Sequence, residues 1–308
     1  MATHQLYTPE QAARSAIAAL RHLTVLPRTV RQDFSTEFVA GRGQTVNVVA
    51  SPQLSDSGSS QAEARVYTKT NRSNRDAIVF DDLTQNYVPV TMEDQIYKAV
   101  RLPDDFATFS LTSLEQQVIR PMAESVVDGL NQPLVDIMSD VDTDDGIPAL
   151  AEDGSNARQV LIQARRVLNA RKVPQAGRFV AVGPGVEAAL LSDELLQRAN
   201  ESGSDGVLRE ATIGRLFGFE IVADPALPDD YAVAYDRDAF AHVTRPSRAP
   251  EGAGFSSTVA SDGFSLRYLQ HYNPLQLEDQ AVLDAFVGAA VLDEQRAVSF
   301  TLGEAPGN

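Results

Sequence analysis

Apolar residues in 112–138 recur at steps of three and four and therefore predict one long amphipathic helix. The stripe consists of Leu114, Val118, Met122, Val126, Leu130, Leu134 and Ile137. Thr112 and Glu115 have the spacing of a capping box, which marks the start of the helix. Pro121 and Pro133 each remove a backbone hydrogen bond, so we expect the helix to bend at them.

The period changes to two from Gly43, where GQTVNVVASP alternates polar and apolar residues. A polar segment rich in serine and glycine follows, and RVYTKTNRSNRDAIVF at 65–80 is interpreted as a returning strand. Together they predict a two-stranded hairpin over residues 44–80. An isolated hairpin is marginally stable, so this one must lie on another surface. That surface is either the corner of a sandwich in the same chain or a neighbouring copy.

Helical and strand patterns alternate in the second half of the chain. Residues 157–174 and 185–202 predict helices, whereas 178–184 and 219–228 predict strands. A further strand with a short helical segment is predicted over 231–246, and alternating residues after Gly263 predict strands that close a sheet. At the other end, TPEQAARSAIAAL (8–20) predicts an amphipathic helix. The chain is therefore expected to have an α+β architecture.

Composition excludes several classes of function. The net charge is -16, and no basic stripe of the kind that grips phosphates is present. The sequence contains no cysteine, which rules out disulfides and zinc-thiolate sites. No apolar run reaches the roughly 18 residues of a membrane-spanning helix, so no membrane contact is predicted.

The segment RFVAVGPGVEAALL at 178–191 contains the G-x-G-x-x-A pattern of a dinucleotide-binding turn. That interpretation requires an acidic residue about 20 positions further on, at the end of the next strand. The next acid that ends a strand is Asp224, about twice as far away, and Pro184 removes an amide between the glycines. We interpret the segment as a structural turn in which Gly183 and Gly185 allow the bend. Val186, Leu190 and Leu191 are expected to pack the helix onto the sheet.

The aspartate-rich segment after the long helix resembles a calcium loop only in part. Asp140, Asp142 and Asp144 have the spacing of its first ligands, but Gly146 and Glu152 each come one residue late. A solvated acidic loop is the better interpretation. The four histidines are scattered, and the sequence contains neither a nucleophile elbow nor a phosphate-binding loop. We predict no catalytic, cofactor-binding or metal-binding residues, and no cofactor.

Six stretches in order carry a resemblance to a known family: AIAALRHLTVLPRTVRQDF, GQTVNVVASP, DAIVFDDLTQNYVPVTM, RFVAVGP, TIGRLFGFEIVADPALP and AYDRDAFAHVTRPSRAP. With the order of elements, they resemble the major capsid proteins of tailed bacteriophages, which have the Hong Kong 97-type fold. The resemblance implies an N-terminal arm (1–42), an extended hairpin loop (43–80), a peripheral domain (81–145) with a spine helix at 112–138, an axial domain (146–262) and peripheral return strands (263–308).

The resemblance also implies partners and a location. We expect other copies of the chain, in pentamers and hexamers, to form an icosahedral shell around double-stranded DNA. A portal protein is implied, a decoration protein is left open, and the hairpin beginning by residue 43 leads us to expect a separate scaffolding protein. Packaged DNA would be non-specific content, and the virion would assemble in the host bacterial cytoplasm. Two alternatives remain: the shell of an encapsulin-type nanocompartment, and a dinucleotide-binding enzyme.

Overall fold

Two β-sheets and one long helix organise the chain. The computed structural model describes residues 14, 16, 25–32, 45–49, 53–55, 66–78, 80, 82–84, 87–105, 114–143, 146–192, 215–250, 255–261 and 264–303. In the described residues, no helix is both long enough and apolar enough to span a membrane. Mixed helix and strand content confirms the α+β class predicted from the sequence.

The first sheet has six strands in the order β6-β15-β10-β7-β9-β8. Its strands are β6 (Leu150–Ala151), β7 (Arg178–Val182), β8 (Arg215–Leu216), β9 (Phe219–Ala223), β10 (Tyr231–Asp236) and β15 (Ala297–Gly303). Helices α3 (Ala157–Ala170) and α4 (Pro184–Ser192) share its core, in which Leu161, Val182 and Phe300 are fully buried. The predicted helices and strands of this region are present, but α3 ends at Ala170, β7 at Val182 and β9 at Ala223, each earlier than predicted.

The second sheet has five strands. They are β5 (Asp94–Pro103), β11 (Phe240–Arg245), β12 (Phe255–Ser261), β13 (Phe264–Asn273) and β14 (Glu278–Val291). Strand β14 is the centre, because it pairs antiparallel with β5, β11 and β13. Its alternate residues, such as Leu283 and Ala285, are fully buried, as expected for a sheet with a covered face.

Helix α2 covers that face and is the long helix predicted from the apolar stripe. It runs over Arg120–Ser139 and is preceded by a π-helical turn, Glu115–Ile119. That turn directly precedes Pro121, which has no N–H to close an ordinary helical hydrogen bond. Five stripe residues are buried, namely Val118, Met122, Val126, Leu130 and Leu134, and Leu114 and Ile137 are partly buried. The helix continues through Pro133, where a bend stays a prediction.

The prediction of a hairpin with its second arm at 65–80 is wrong. Strand β1 (Thr45–Val49) pairs with β4 (Tyr87–Thr91), and β2 (Gln53–Ser55) pairs with β3 (Asp82–Thr84). The returning arm therefore lies later in the chain. Residues predicted to form that arm include a short helix instead, α1 (Lys69–Asn74). Thr68 caps this helix by accepting the N–H of Asn71, a local hydrogen bond that favours a helix start over a strand.

The predicted boundary at residue 262 also disagrees with the strand pairing. Strands β11 and β12 precede it, yet they belong to the five-stranded sheet. Strand β15 follows it, yet it pairs with β10 in the six-stranded sheet. The chain thus crosses between the sheets at Arg237–Ala239 and again at Glu294–Arg296. The remaining domain boundaries stay predictions.

Several predicted features fall outside the described residues. Of the predicted helix 8–20, only Arg14 and Ala16 are described; both are helical, and Ala16 is buried in the core of the five-stranded sheet. The proposed capping residue Thr112 and the loop residue Asp144 are not described.

Candidate interaction surface

The hairpin formed by β1 to β4 is anchored to the protein at its root. Val48 pairs with Val88 in the β1–β4 register, and both Val48 and Val90 are fully buried. Their core also contains Met92, Ala241 and Val243, so the root packs on strand β11 of the five-stranded sheet. This anchoring fixes the direction in which the rest of the hairpin leaves the body.

Residues 66–80 are at the far end of the hairpin, and we call them the tip. Hydrogen bonds between nearby residues hold the backbone of this segment. The hydroxyl of Tyr67 donates to the carbonyl of Asp76 at 2.6 Å, which links the two ends of α1. Arg75 ends the helix with a φ of 54°, and its N–H donates to Arg72 O. Such left-handed residues are common at helix ends. The tip therefore has a defined shape of its own.

Apolar side chains on the tip are nevertheless open to solvent. Val66 is 82% exposed and Phe80 is 84% exposed, and Ile78 is also exposed. Fully burying one such side chain is worth about 1.5–3 kcal/mol. A shaped segment that exposes three of them has the properties of an interaction surface. The sequence showed these residues to be apolar but gave no signal of their exposure.

The tip also differs from the rest of the chain in charge. Lys69, Arg72 and Arg75 are all exposed, and Asp76 is the one acidic residue between Val66 and Phe80. The whole chain has a net charge of -16. A basic segment in an acidic protein is suited to contact an acidic surface.

A second exposed apolar group lies at the turn between β13 and β14. Leu275 is 93% exposed there, and Tyr272 and Leu277 are exposed beside it. The N–H of Leu275 donates to the Asn273 side chain at 3.1 Å, and the Tyr272 hydroxyl donates to Asp104 at 2.9 Å. This turn is therefore held in place while it presents its leucines.

The glycine turn at 183–185 has a structural role. The N–H groups of Gly185 and Val186 both donate to the carbonyl of Asp229, so they are not available to a pyrophosphate. A Cβ at Gly183 would lie 1.9 Å from the carbonyl oxygen of Pro228. Val186 and Leu190 are buried as predicted, but the prediction for Leu191 is wrong, because this side chain is 38% exposed.

Asp224 was the candidate ribose ligand in the dinucleotide-binding hypothesis, and its environment in the structure is a different one. Its carboxylate is buried and accepts the N–H of Ala226 at 2.9 Å, which shapes the turn after β9. Burial raises its pKa, and the nearby charge of Asp128 raises the pKa further. The residue stands beside a cavity and not at the glycine turn's amides.

The aspartate segment contacts β15. The hydroxyls of Thr143 and Ser299 lie 3.1 Å apart, and Asp140 and Asp142 are exposed. Across the residues that the structure describes, no three His, Asp or Glu side chains are grouped so as to hold a metal ion. His242, the one fully buried histidine among them, contacts the Leu130 carbonyl through Nε2 at 3.0 Å. Burial lowers its pKa to about 4, which keeps the ring neutral.

Comparison with known protein families identifies the family of this chain. A sequence model for the family described as "Phage capsid protein" matches residues 74–285. The chain belongs to the phage capsid protein family. No curated protein matches it in sequence. The family makes this a structural protein of a capsid, as the sequence analysis predicted.

Solved structures confirm a capsid shell fold over nearly the whole chain. A structure from Mycobacterium phage Che8 is 19% identical and covers 90% of each chain, with a TM-score of 0.63. One from Gordonia phage Cozz is 13% identical and covers 91% of this chain and 86% of that one, with a TM-score of 0.54. A virus-like particle from Pyrococcus furiosus is 11% identical and covers 94% and 98%, with a TM-score of 0.53. At these identities the likeness concerns the fold.

Proposed function

We propose that this chain is the major capsid protein of a tailed bacteriophage, with a Hong Kong 97-type fold. Its copies form an icosahedral shell that encloses a double-stranded DNA genome, and it catalyses no reaction. The hairpin tip carries this proposal. Val66 and Phe80 are exposed on a segment with a defined shape, and such a surface is stabilised when another copy covers it.

The proposed partners follow from this role. Copies meet in pentamers and hexamers through heterologous contacts that close into rings, and each hairpin lies on the adjacent copy. A separate scaffolding protein and a portal protein assist assembly, and a decoration protein is compatible with the shell. The net charge of -16 supports non-specific enclosure of DNA over tight binding, because carboxylates repel phosphates. Assembly takes place in the host bacterial cytoplasm, and the virion is the final location.

One observation favours a second candidate, the shell of an encapsulin-type nanocompartment. The virus-like particle from Pyrococcus furiosus matches over 94% of this chain and 98% of its own. The fold therefore suits either kind of shell. The difference between the two functions is what the shell contains.

Electron microscopy and light scattering of the purified chain test the proposal. Closed shells of uniform size are expected, built from subunits of 33.3 kDa. A chain that stays monomeric at all concentrations, with and without a co-expressed scaffolding protein, would contradict it. Particles from the native host should contain nuclease-protected DNA; particles filled with a cargo protein would instead establish the nanocompartment.

A further inference from the structure

A cavity of about 570 Å³ opens between helix α2 and the turn that follows β9. Its lining includes Val25, Glu124, Asp128, Asn131, Asp224 and Pro225. We call this cavity the α2 groove. The α2 residues that line the groove are on the face of the helix opposite the apolar stripe. A helix whose only role was to cover a sheet would expose that face to water.

The polar atoms of the α2 groove are mainly hydrogen-bond acceptors. Asp128 and Asp224 provide carboxylates, and Asp224 is 6% exposed. Glu124 also lines the groove, but it is already paired with Arg120 at 3.2 Å. Burial and the charge of Asp128 both raise the pKa of Asp224, which shows that the groove holds negative charge at a cost.

Asn131 gives an independent indication that a donor is missing. The side chain is 5% exposed and lines the groove, and its Oδ1 accepts no hydrogen bond from any residue that the structure describes. Buried amide oxygens are nearly always paired, because an unpaired one costs about 1–3 kcal/mol of desolvation. A group that carries both positive charge and N–H donors would satisfy Asn131 and the two aspartates together.

The shape of the groove favours a basic side chain over a bare metal ion. Val25 and Pro225 give it apolar walls, along which the methylene stem of a lysine or arginine can lie. Among the described residues, no three acidic or histidine side chains are grouped so as to hold a metal. The volume also exceeds the roughly 30 Å³ share of a single water molecule many times.

The hairpin tip provides basic side chains of the required kind. Lys69 and Arg72 are three residues apart in α1 and therefore share one face of that helix. Both are exposed, and no ion pair within the described residues joins either of them to the α2 groove. In a chain with a net charge of -16, this basic face and the acidic groove are complementary.

We propose that the Lys69–Arg72 face of one copy docks in the α2 groove of a neighbouring copy. This rests on the proposed function, since only an assembled shell brings a hairpin to a neighbour. The docking proposal adds two details to that function: the site on the neighbour that the hairpin tip contacts, and the chemical groups that make the contact. Arginine or lysine heads pair with Asp128 and Asp224, and their N–H groups supply the donor that Asn131 lacks.

Zero-length carbodiimide cross-linking of assembled particles tests this contact directly. The chain has only three lysines, Lys69, Lys98 and Lys172, so few lysine–carboxylate cross-links can form. Mass spectrometry should find Lys69 joined to Asp128 or Glu124, and mixed isotope-labelled copies should show that the link is between chains. Links from Lys69 to acids outside the groove only, or no Lys69 links in closed shells, would overturn the docking.

Charge variants give a second readout that separates this docking from the proposed function. Arg72→Asp and Asp128→Arg should each raise the concentration needed for half-assembly by about tenfold or more. The double variant, which swaps the charges, should recover assembly. Asp136→Arg is the matched control, since it makes the same charge reversal at an exposed residue that is on α2 but outside the groove. If the unmodified chain forms no shells, the proposed function fails; if Asp128→Arg assembles like the unmodified chain, only the docking fails.

Discussion

Arg296 Nη1 lies 2.8 Å from Asp236 Oδ2, and this ion pair joins two of the chain segments that cross between the sheets. Asp236 ends β10 just before the first crossing, and Arg296 lies in the second. Arg296 also pairs with Asp293 at 3.1 Å, and the N–H of Leu292 donates to Ala239 O. The relative position of the two sheets is therefore held where the chain passes between them.

Replacing Arg296 by methionine should lower the free energy of unfolding by about 3 kcal/mol, because it removes the cation that is hydrogen-bonded to the buried Asp236 carboxylate. Burial already raises the pKa of Asp236, and the Arg296 hydrogen bond opposes that rise. Urea unfolding of the unassembled chain measures the loss. Arg120→Met removes an exposed pair with Glu124 and should cost less than about 0.5 kcal/mol. Equal losses for the two variants would contradict the role given to Arg296.

His242 should make stability depend on pH. Its folded pKa is lowered from 6.5 to about 4, so only the unfolded chain binds a proton between these values. Stability contributed by the neutral ring is therefore complete above pH 6.5 and is lost as the pH falls towards 4. Between about pH 7.5 and about pH 5 the loss should be about 2 kcal/mol. His242→Gln should show a shallower pH dependence in the same urea titrations; an unchanged slope would argue against this assignment.

Gly183 should tolerate no side chain. A Cβ there would meet the carbonyl oxygen of Pro228 at 1.9 Å, and the other near atoms also belong to the Pro228–Asp229 backbone, which cannot rotate away as a side chain can. Gly183→Ala should cost about 3 kcal/mol or more. Gly129→Ala is the comparison, because its Cβ would meet Ile96 Cγ2 at 2.5 Å, a side-chain methyl group that moves only by a change in χ1. Alanine favours the helix by about 1 kcal/mol and offsets part of this clash, so this variant should cost less than Gly183→Ala. Thermal unfolding of both variants distinguishes the two sites.

Substituting both Val66 and Phe80 by serine should prevent shell assembly without destabilising the monomer. Both side chains are exposed, so their removal takes little apolar surface from the folded core. Circular dichroism melting should be unchanged, while light scattering should show no particles. Val90→Ala, at the buried hairpin root, should instead lower the melting temperature. Normal particles from the double serine variant would show that the tip is not covered by a neighbour.

Elements with a strong local period were predictable. The stripe from Val118 to Leu134 identified helix α2, and the apolar run before Gly183 identified strand β7, because both patterns repeat within one element. The capsid fold was expected from the resemblance of these elements and of the quoted stretches to a known family. The strand pairing of the hairpin was harder to predict. The partner of β1 is β4, about 40 residues away, and local alternation does not specify a distant partner.

The interaction surface was the least predictable part. Phe80 and Leu283 are equally apolar in the sequence, yet one is exposed and the other is fully buried. Asn131 and Asp224 are about 90 residues apart with no spacing pattern that links them, and only folding brings them to the same groove. A site built from residues far apart in the chain leaves no spacing pattern for sequence analysis to detect.

By itself, the sequence determined the long helix, most elements of the second half, the acidic charge and, through its resemblance, the family, because these depend on residue type, local periodicity and element order. The tertiary structure decided which strands pair, where the chain changes sheets and which apolar and basic residues of the tip remain uncovered. Burial and β-pairing are properties of contacts between distant residues. The same apolar side chain therefore stabilises the core in one place and offers a surface to a partner in another.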